Sequence, residues 1–218
     1  MASLSPIRCV RAEDELAYVA GLVASDGHLT KSGYGVDIAT SDEKFARKIH
    51  DILSIVSFKV PKISKKRTVY VVTVYDRELF KLLTEKFRIP RGKKSDILEP
   101  PTISEEKEIV GYIRGFFDGD SSVHRRRMRT KYVPRIRAMS QSKKILEWIK
   151  ECLLKLGIRT GSIFIDKPHG FISKKYGVTK VCYRLELYGT AVKKFDEKIG
   201  YAHPEKIKKM NELLLLLN

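Results

Sequence analysis

Cysteine is scarce in this chain: there are three among 218 residues, Cys9, Cys152 and Cys182. None forms a C-x-x-C pair and the number is odd, which argues against both a disulfide framework and a structural zinc site. The N-terminus carries no signal-peptide pattern. The longest aliphatic run, Leu213 to Leu217, is far short of the roughly 20 apolar residues that cross a bilayer. A soluble, intracellular protein with no membrane partner is therefore expected. Histidine is sparse as well. His28, His50, His124, His169 and His203 show no ligand spacing and are assigned no catalytic role. Acidic residues are in deficit, with 26 Asp+Glu against 43 Lys+Arg and a formal net charge of +17. Such an excess opposes compaction by self-repulsion and suits a polyanionic partner, a nucleic acid above all.

What is present is a repeat. Hydrophobic residues make up 43% of the chain, enough for a packed core. LAYVAGLVASDG (Leu16 to Gly27) matches VGYIRGFFDGDS (Val110 to Ser121), and both patterns are helical. Ala17, Gly21 and Ser25 lie four apart, as do Gly111, Gly115 and Gly119, with a constant offset of 94 residues between the triplets. Small residues at that spacing leave a groove along one helix face, so the two helices should pack through these faces with their backbones close together. Downstream, each copy shows two strand-like runs, then a helix (apolar at Phe45, Ile49, Ile52 and Leu53, and at Ile145, Ile149, Cys152 and Leu153), two more strands and a further helix. Ser41 and Ser140 are the expected N-caps. Strands are expected at Phe58–Ser64 and Thr68–Tyr75 with a turn at Lys65–Arg67, and at Thr160–Asp166 and Thr179–Tyr188. Trp148 is expected in the core. The order α-β-β-α-β-β-α, twice, predicts an α+β fold of two pseudo-symmetric subdomains with antiparallel, saddle-shaped sheets and a central two-helix interface. The expected boundaries are an N-terminal segment 1–13, a first repeat 14–88, a linker 89–104, and a second repeat with the closing helix, 105–218.

Asp26 and Asp120 follow the two stripes directly. A carboxylate at a helix C-terminus faces the negative end of the dipole, and two packed copies would repel each other. Paired unfavourable choices point to a cation, and beside nucleic acid the natural one is Mg²⁺ (or Mn²⁺), held by few carboxylates together with phosphate oxygens. Gly27 is expected to close the first helix as a left-handed cap.

VAGLVASDG (Val19 to Gly27) and IRGFFDGDS (Ile113 to Ser121) resemble the two LAGLIDADG motifs of single-chain homing endonucleases, and the likeness extends over nearly the whole chain after its first dozen residues. The resemblance implies that Asp26 and Asp120 bind the divalent metals at the centre of the DNA, with the backbone carbonyls of Ser25 and Gly119 as further metal contacts. Ala24 and Asp118 occupy a motif position that is not a metal ligand, and Ser121 replaces the closing glycine of the second motif. Where this family often has Gln or Lys before its next helix, the chain has Thr40 or Ser41 and Ser140 or Gln141; Gln141 is the candidate that orders solvent around the nucleophile. The assisting basic residue is left open.

The run HRRRMRTKYVPRIR (His124 to Arg137) contains seven Lys or Arg and no acid. As strand it puts Arg125, Arg127 and Arg129 on one face, and likewise Arg135 and Arg137. Such rows reach phosphates and guanine edges in the major groove. In the first copy Lys31 corresponds, with Lys59, Lys62, Lys65, Lys66 and Arg67 as a further patch; Arg159, Lys174, Lys175, Lys180 and Arg184 add to the second. The expected function is metal-dependent hydrolysis of both strands of double-stranded DNA at one long pseudo-palindromic site by a monomer. The competing expectation is an RNA-splicing maturase, with intron RNA as partner, or a non-cleaving DNA-binding protein on the same scaffold. Retained Asp26 and Asp120 favour cutting. The chain starts Met1-Ala2 and ends Leu217-Asn218 without a preceding His, which favours a free-standing, intron-encoded enzyme over an intein.

Overall fold

Three of the helices begin where a short side chain accepts from the N–H groups of the first turn. In the computed structural model, which describes residues 6–94, 96–128, 131–168, 172–173, 177–178 and 180–215, the order is α1 (Pro6–Ser25), β1 (Gly27–Leu29), β2 (Gly35–Thr40), α2 (Glu43–Val56), β3 (Lys62–Lys66), β4 (Val69–Tyr75), α3 (Arg77–Glu85). It continues with α4 (Glu106–Asp120), β5 (Ser121–Met128), β6 (Lys131–Ser140), α5 (Lys143–Lys155), β7 (Phe164–Lys167), β8 (Ile172–Ser173), β9 (Gly177–Val178), β10 (Cys182–Tyr188), α6 (Thr190–Lys198) and α7 (Pro204–Leu214). The expected α-β-β-α-β-β-α order is present twice, with a small β8–β9 ribbon added. The caps differ from expectation. Asp42 and Ser142 accept from Phe45 N and Ile145 N, while Thr40 and Ser140, two residues earlier, accept from the cap residues' own N–H groups.

Two compact units result: Met1–Lys94 with Pro101–Gly119, and Ser95–Pro100 with Asp120–Asn218. Each holds one four-stranded antiparallel sheet, ordered β1-β2-β4-β3 in the first and β5-β6-β10-β7 in the second. In the first, Val36 and Ile38 alternate inward with Val72 and Val74, and α2 covers them with Phe45, Ile49 and Leu53. In the second, Ile136, Ala138, Leu185 and Leu187 do the same beneath Ile145, Ile149 and Leu153 of α5. Each large apolar side chain removed from water contributes roughly 1.5–3 kcal/mol. Trp148, expected in the core, is half-buried, because it lies at the margin of the α5 stripe that those residues fill.

Strand limits also differ from the expected ones. β3 starts at Lys62, since Pro61 has no N–H to give the ladder and Phe58 N is taken by the Asp76 carboxylate. Lys65 and Lys66 belong to the strand, and the tight turn sits at Arg67, whose φ is 56°. In the second unit β7 starts only at Phe164 and β10 at Cys182, with a register shift between Cys182 and Tyr183. No helix among the described residues is long and apolar enough to cross a membrane.

Candidate nuclease site and nucleic-acid interface

Both motif helices lie in the first unit, where the stripes of small residues bring them together. A Cβ on Gly21 would strike the Tyr112 carbonyl oxygen and lie 2.8 Å from Phe116 N; one on Gly115 would strike the Tyr18 carbonyl and lie 2.8 Å from Leu22 N. Backbone therefore meets backbone, and only glycine fits at the crossing. Polar bonds fasten the pair at both levels: Tyr18 Oη donates to Asp118 Oδ2 at 2.8 Å in the interior, and Lys107 Nζ donates to Glu13 Oε2 at 2.7 Å near the surface. Burial, reinforced by the Asp118 charge, pushes the Tyr18 hydroxyl well above its ordinary range, so it stays a donor. Asp118 is only 2% exposed. This motif acid thus has a structural partner, and the equivalent position in α1, Ala24, has no acceptor to offer.

At the end of the crossing, Asp26 is exposed and Ser25 half-buried. A Cβ on Gly119 would come within 3.2 Å of Asp26 Cγ and strike Ser25 Oγ, so the last small residue of α4 leaves room for the acid that follows α1. Asp120, half-buried, is the next residue along the chain and the last of α4. Gly27 is not a left-handed cap. It starts β1, pairs with Ile38, and is glycine because a Cβ would lie 2.6 Å from Val23 Cα. Ser121, its counterpart, carries a side chain, and Ser121 Oγ and Tyr201 Oη lie 2.9 Å apart.

Lysines from distant segments meet both helix ends. Lys94 Nζ donates to the carbonyls of Val23 and of Gly27, the latter at 2.6 Å. Within the second unit Lys206 Nζ donates to the Ser121 carbonyl at 2.7 Å. Since Gly27 and Ser121 are 94 residues apart, the two ammonium groups serve equivalent carbonyls. A cation suits the negative end of a helix dipole, so part of the unfavourable charge expected from the aspartates is offset by the chain itself. Among the described residues no three or more His, Cys, Asp or Glu side chains form a metal cage.

Each sheet has an outer face opposite its helices. In the first unit Lys62, Ser64 and Lys66 share it with Asp37 and Thr73, whose Oγ1 donates to Asp37 Oδ1 at 2.6 Å. Lys65 lies on the other face, 4.9 Å from the centre of the Tyr70 ring. Lys31, Lys59 and Arg67 stand exposed in loops and turn. In the second unit the register puts Arg126, Arg135, Arg137, Arg184 and Glu186 on the outer face. Arg125 and Arg127 share the opposite face with Val123, beyond the core, and Arg125 packs 5.2 Å from the centre of the Tyr132 ring. The two expected arginine rows are thus on opposite sides of one sheet. Lys180 is held by Asp96 at 2.5 Å, and Arg159 is exposed after α5. Gln141 Oε1 is buried and meets no donor among the described residues. Arg129, Lys174, Lys175 and His169 lie outside the described residues.

A family model described as "LAGLIDADG-like domain" matches residues 13–88 and 107–200, the two repeats. The chain belongs to the LAGLIDADG family. Its sequence is 25% identical over 209 residues to homing endonuclease I-ApeI of Aeropyrum pernix, covering 91% of this chain and 86% of that protein. It is 28% identical over 201 residues to a probable translation initiation factor IF-2 of Methanocaldococcus jannaschii, covering 90% of this chain but only 16% of the relative's length. The fold matches a crystal structure of I-DmoI in complex with DNA and Mn, with a TM-score of 0.61 and 20% identity over 87% of this chain and 97% of that one. In LAGLIDADG terms, the two motifs are the α1–α4 crossing. Sequence reasoning missed Lys94, Lys206, Arg126, Asp166 and Glu186. Lys94 stands in the basic stretch RGKKS and Lys206 in EKIKK, where composition alone cannot say which lysine turns inward.

Proposed function

We propose that the protein is a divalent-metal-dependent endonuclease that hydrolyses both strands of duplex DNA at one long, pseudo-palindromic site, one chain per duplex. The observation that carries this reading is an acid at the end of each motif helix, with Asp26 set against the small residue before Asp120. The names of I-ApeI and of I-DmoI with DNA and Mn support it. Asp26 and Asp120 would hold the cations, with the carbonyls of Ser25 and Gly119 as additional ligands. Bound there, Mg²⁺ or Mn²⁺ would supply charge to the scissile phosphate and lower the pKa of a water. Hydrolysis forms a bond from that water's oxygen to phosphorus and breaks the bond to the 3′ oxygen, which leaves with a proton. Gln141 is assigned to ordering this water through its unpartnered carbonyl oxygen. Lys94 and Lys206 are assigned as the basic groups: anchored to carbonyls, they hold positive charge beside the motif ends at no cost of reorganisation. Lys31, Lys59, Lys62, Lys66, Arg67, Arg135, Arg137, Arg159, Lys180 and Arg184 would meet DNA, with Lys65, Arg125 and Arg127 reaching flanking phosphates. Selection of cleaved duplexes from a randomised pool with Mg²⁺ tests the proposal. Enrichment of one long site cut on both strands is expected, and a pool that is bound but never cut would leave a DNA-binding protein instead.

A further inference from the structure

The outer face of β5-β6-β10-β7 carries a carboxylate with no place in the cleavage chemistry. Glu186 is 3% exposed on a face where water would otherwise reach it. Its Oε1 accepts from Arg137 Nε at 2.9 Å and lies 3.5 Å from Arg135 Nη1; Oε2 accepts from Tyr188 Oη and lies 4.0 Å from Arg126 Nη1. Asp166 extends the array, taking Arg184 Nη1 at 2.9 Å with Arg137 Nη1 at 3.9 Å. Four guanidinium groups thus share two carboxylates. Burial alone would raise Glu186; the Tyr188 and Arg137 hydrogen bonds and the Arg135 charge overcome it and hold it below the usual carboxylate range.

The arginines are also braced by rings and by one another's partners. Arg126 donates to Tyr188 Oη at 2.7 Å and lies 5.2 Å from its ring centre, and Arg184 lies 5.7 Å from that of Phe164. Part of each fork stays open to solvent, with the Arg126 side chain 47% exposed and that of Arg184 31%, while Arg135 Nε and Arg184 Nε are buried and meet no hydrogen-bond acceptor among the described residues. An apolar side chain at 186 would serve packing as well as a buried ion pair, so packing alone does not explain the acid. What it does supply is order, because a guanidinium of fixed plane loses little freedom when it takes a bidentate partner. Among the described residues, the first unit's outer face offers Lys62 and Lys66 and no such array.

We propose that Glu186, with Asp166 and Tyr188, is a positioning residue that holds Arg126, Arg135, Arg137 and Arg184 as a rigid comb, and that this comb reads a cluster of guanine edges in one half of the DNA site. The inference rests on the reading of the chain as a DNA nuclease. Arginine forks match O6 and N7 of guanine, and lysine does not form that bidentate pair with the same fixed geometry.

The test is the base-substitution profile of duplex binding in Ca²⁺ for wild type, Glu186→Gln and Arg184→Lys, each with its salt dependence and melting temperature. Wild type should prefer guanine at several positions of one half-site. Glu186→Gln should lower that preference by at least about fivefold at those positions and leave the other half unchanged. Its salt slope should stay the same or steepen, since a negative charge is lost. Arg184→Lys should keep the slope and lose preference at one position. No guanine preference in either half, an unchanged profile in both variants, or equal losses in both halves with a fallen melting temperature would each overturn the comb. Absence of any sequence-specific duplex binding by wild type would instead remove the nuclease reading itself.

Discussion

The outer face of the first sheet carries Lys62, Lys66 and Asp37, whereas that of the second carries Arg126, Arg135, Arg137, Arg184, Glu186 and Asp166. The ladders beneath them are alike, four antiparallel strands in the same order of pairing. Their inner faces are alike too, because a one-residue slip would turn every core side chain to solvent. Outer positions face no such constraint, so a duplicated backbone can carry two different surfaces. The ends of the repeats differ similarly. Asp76 caps α3, accepting from Glu78 N, Leu79 N, Ser57 Oγ and Phe58 N. Its counterpart Gly189, before α6, has φ 54° and ψ −124° and no side-chain cap.

The sharpest contrast concerns the helix crossing, which lies wholly in the first unit. Gly115→Ala drives a methyl into the Tyr18 carbonyl and should cost at least about 3 kcal/mol, seen as a large fall in melting temperature. The caps come next. Asp76→Ala strands buried donors and should cost about 2–3 kcal/mol in urea unfolding, against about 1–2 kcal/mol for Gly189→Ala, which forces an alanine into a backbone region suited to glycine. Equal values would dissolve the contrast between the two ends.

Acid should sharpen it further. The folded Glu186 carboxyl is held below its ordinary value, so its stabilisation is present above the unfolded pKa of about 4.3 and is lost as pH falls through the folded value. Asp76 is held down as well; burial would raise it, but backbone and Ser57 hydrogen bonds prevail. Melting temperature should therefore drop below about pH 4, and Glu186→Gln should flatten that limb in part. The smallest effect is expected on the first sheet. Lys62→Ala with Lys66→Ala should reduce the salt slope of DNA binding by up to about 1.8, or about 0.9 for each phosphate left without its lysine.

Much of this was legible in the chain itself. Small residues four apart announced a close crossing, and Gly21 and Gly115 meet backbone there. Alternating Val36, Ile38, Val72 and Val74 announced a half-buried sheet. Other features depend on partners far away in sequence. Arg126 interrupts the row that spacing picks out, and only pairing with β6 and β10 tells which arginines join Glu186. Gly27 looked like a cap because Gly after a helix usually is one; the nearness of Val23 Cα sets its need instead. Lys94 and Lys206 reach the motif ends across 67 and 85 residues, beyond any local pattern.

The central claim is that Asp26 and Asp120 are the acids of a metal-dependent nuclease. It is tested most directly by Asp26→Asn and Asp120→Asn on one cognate duplex, with cleavage in Mg²⁺, gel shift in Ca²⁺ and thermal melts side by side. Loss of double-strand cleavage by each variant is expected, with specific binding kept and melting temperature equal to or slightly above wild type. Full-rate cutting by either variant, or lost binding together with a lower melting temperature, would contradict it.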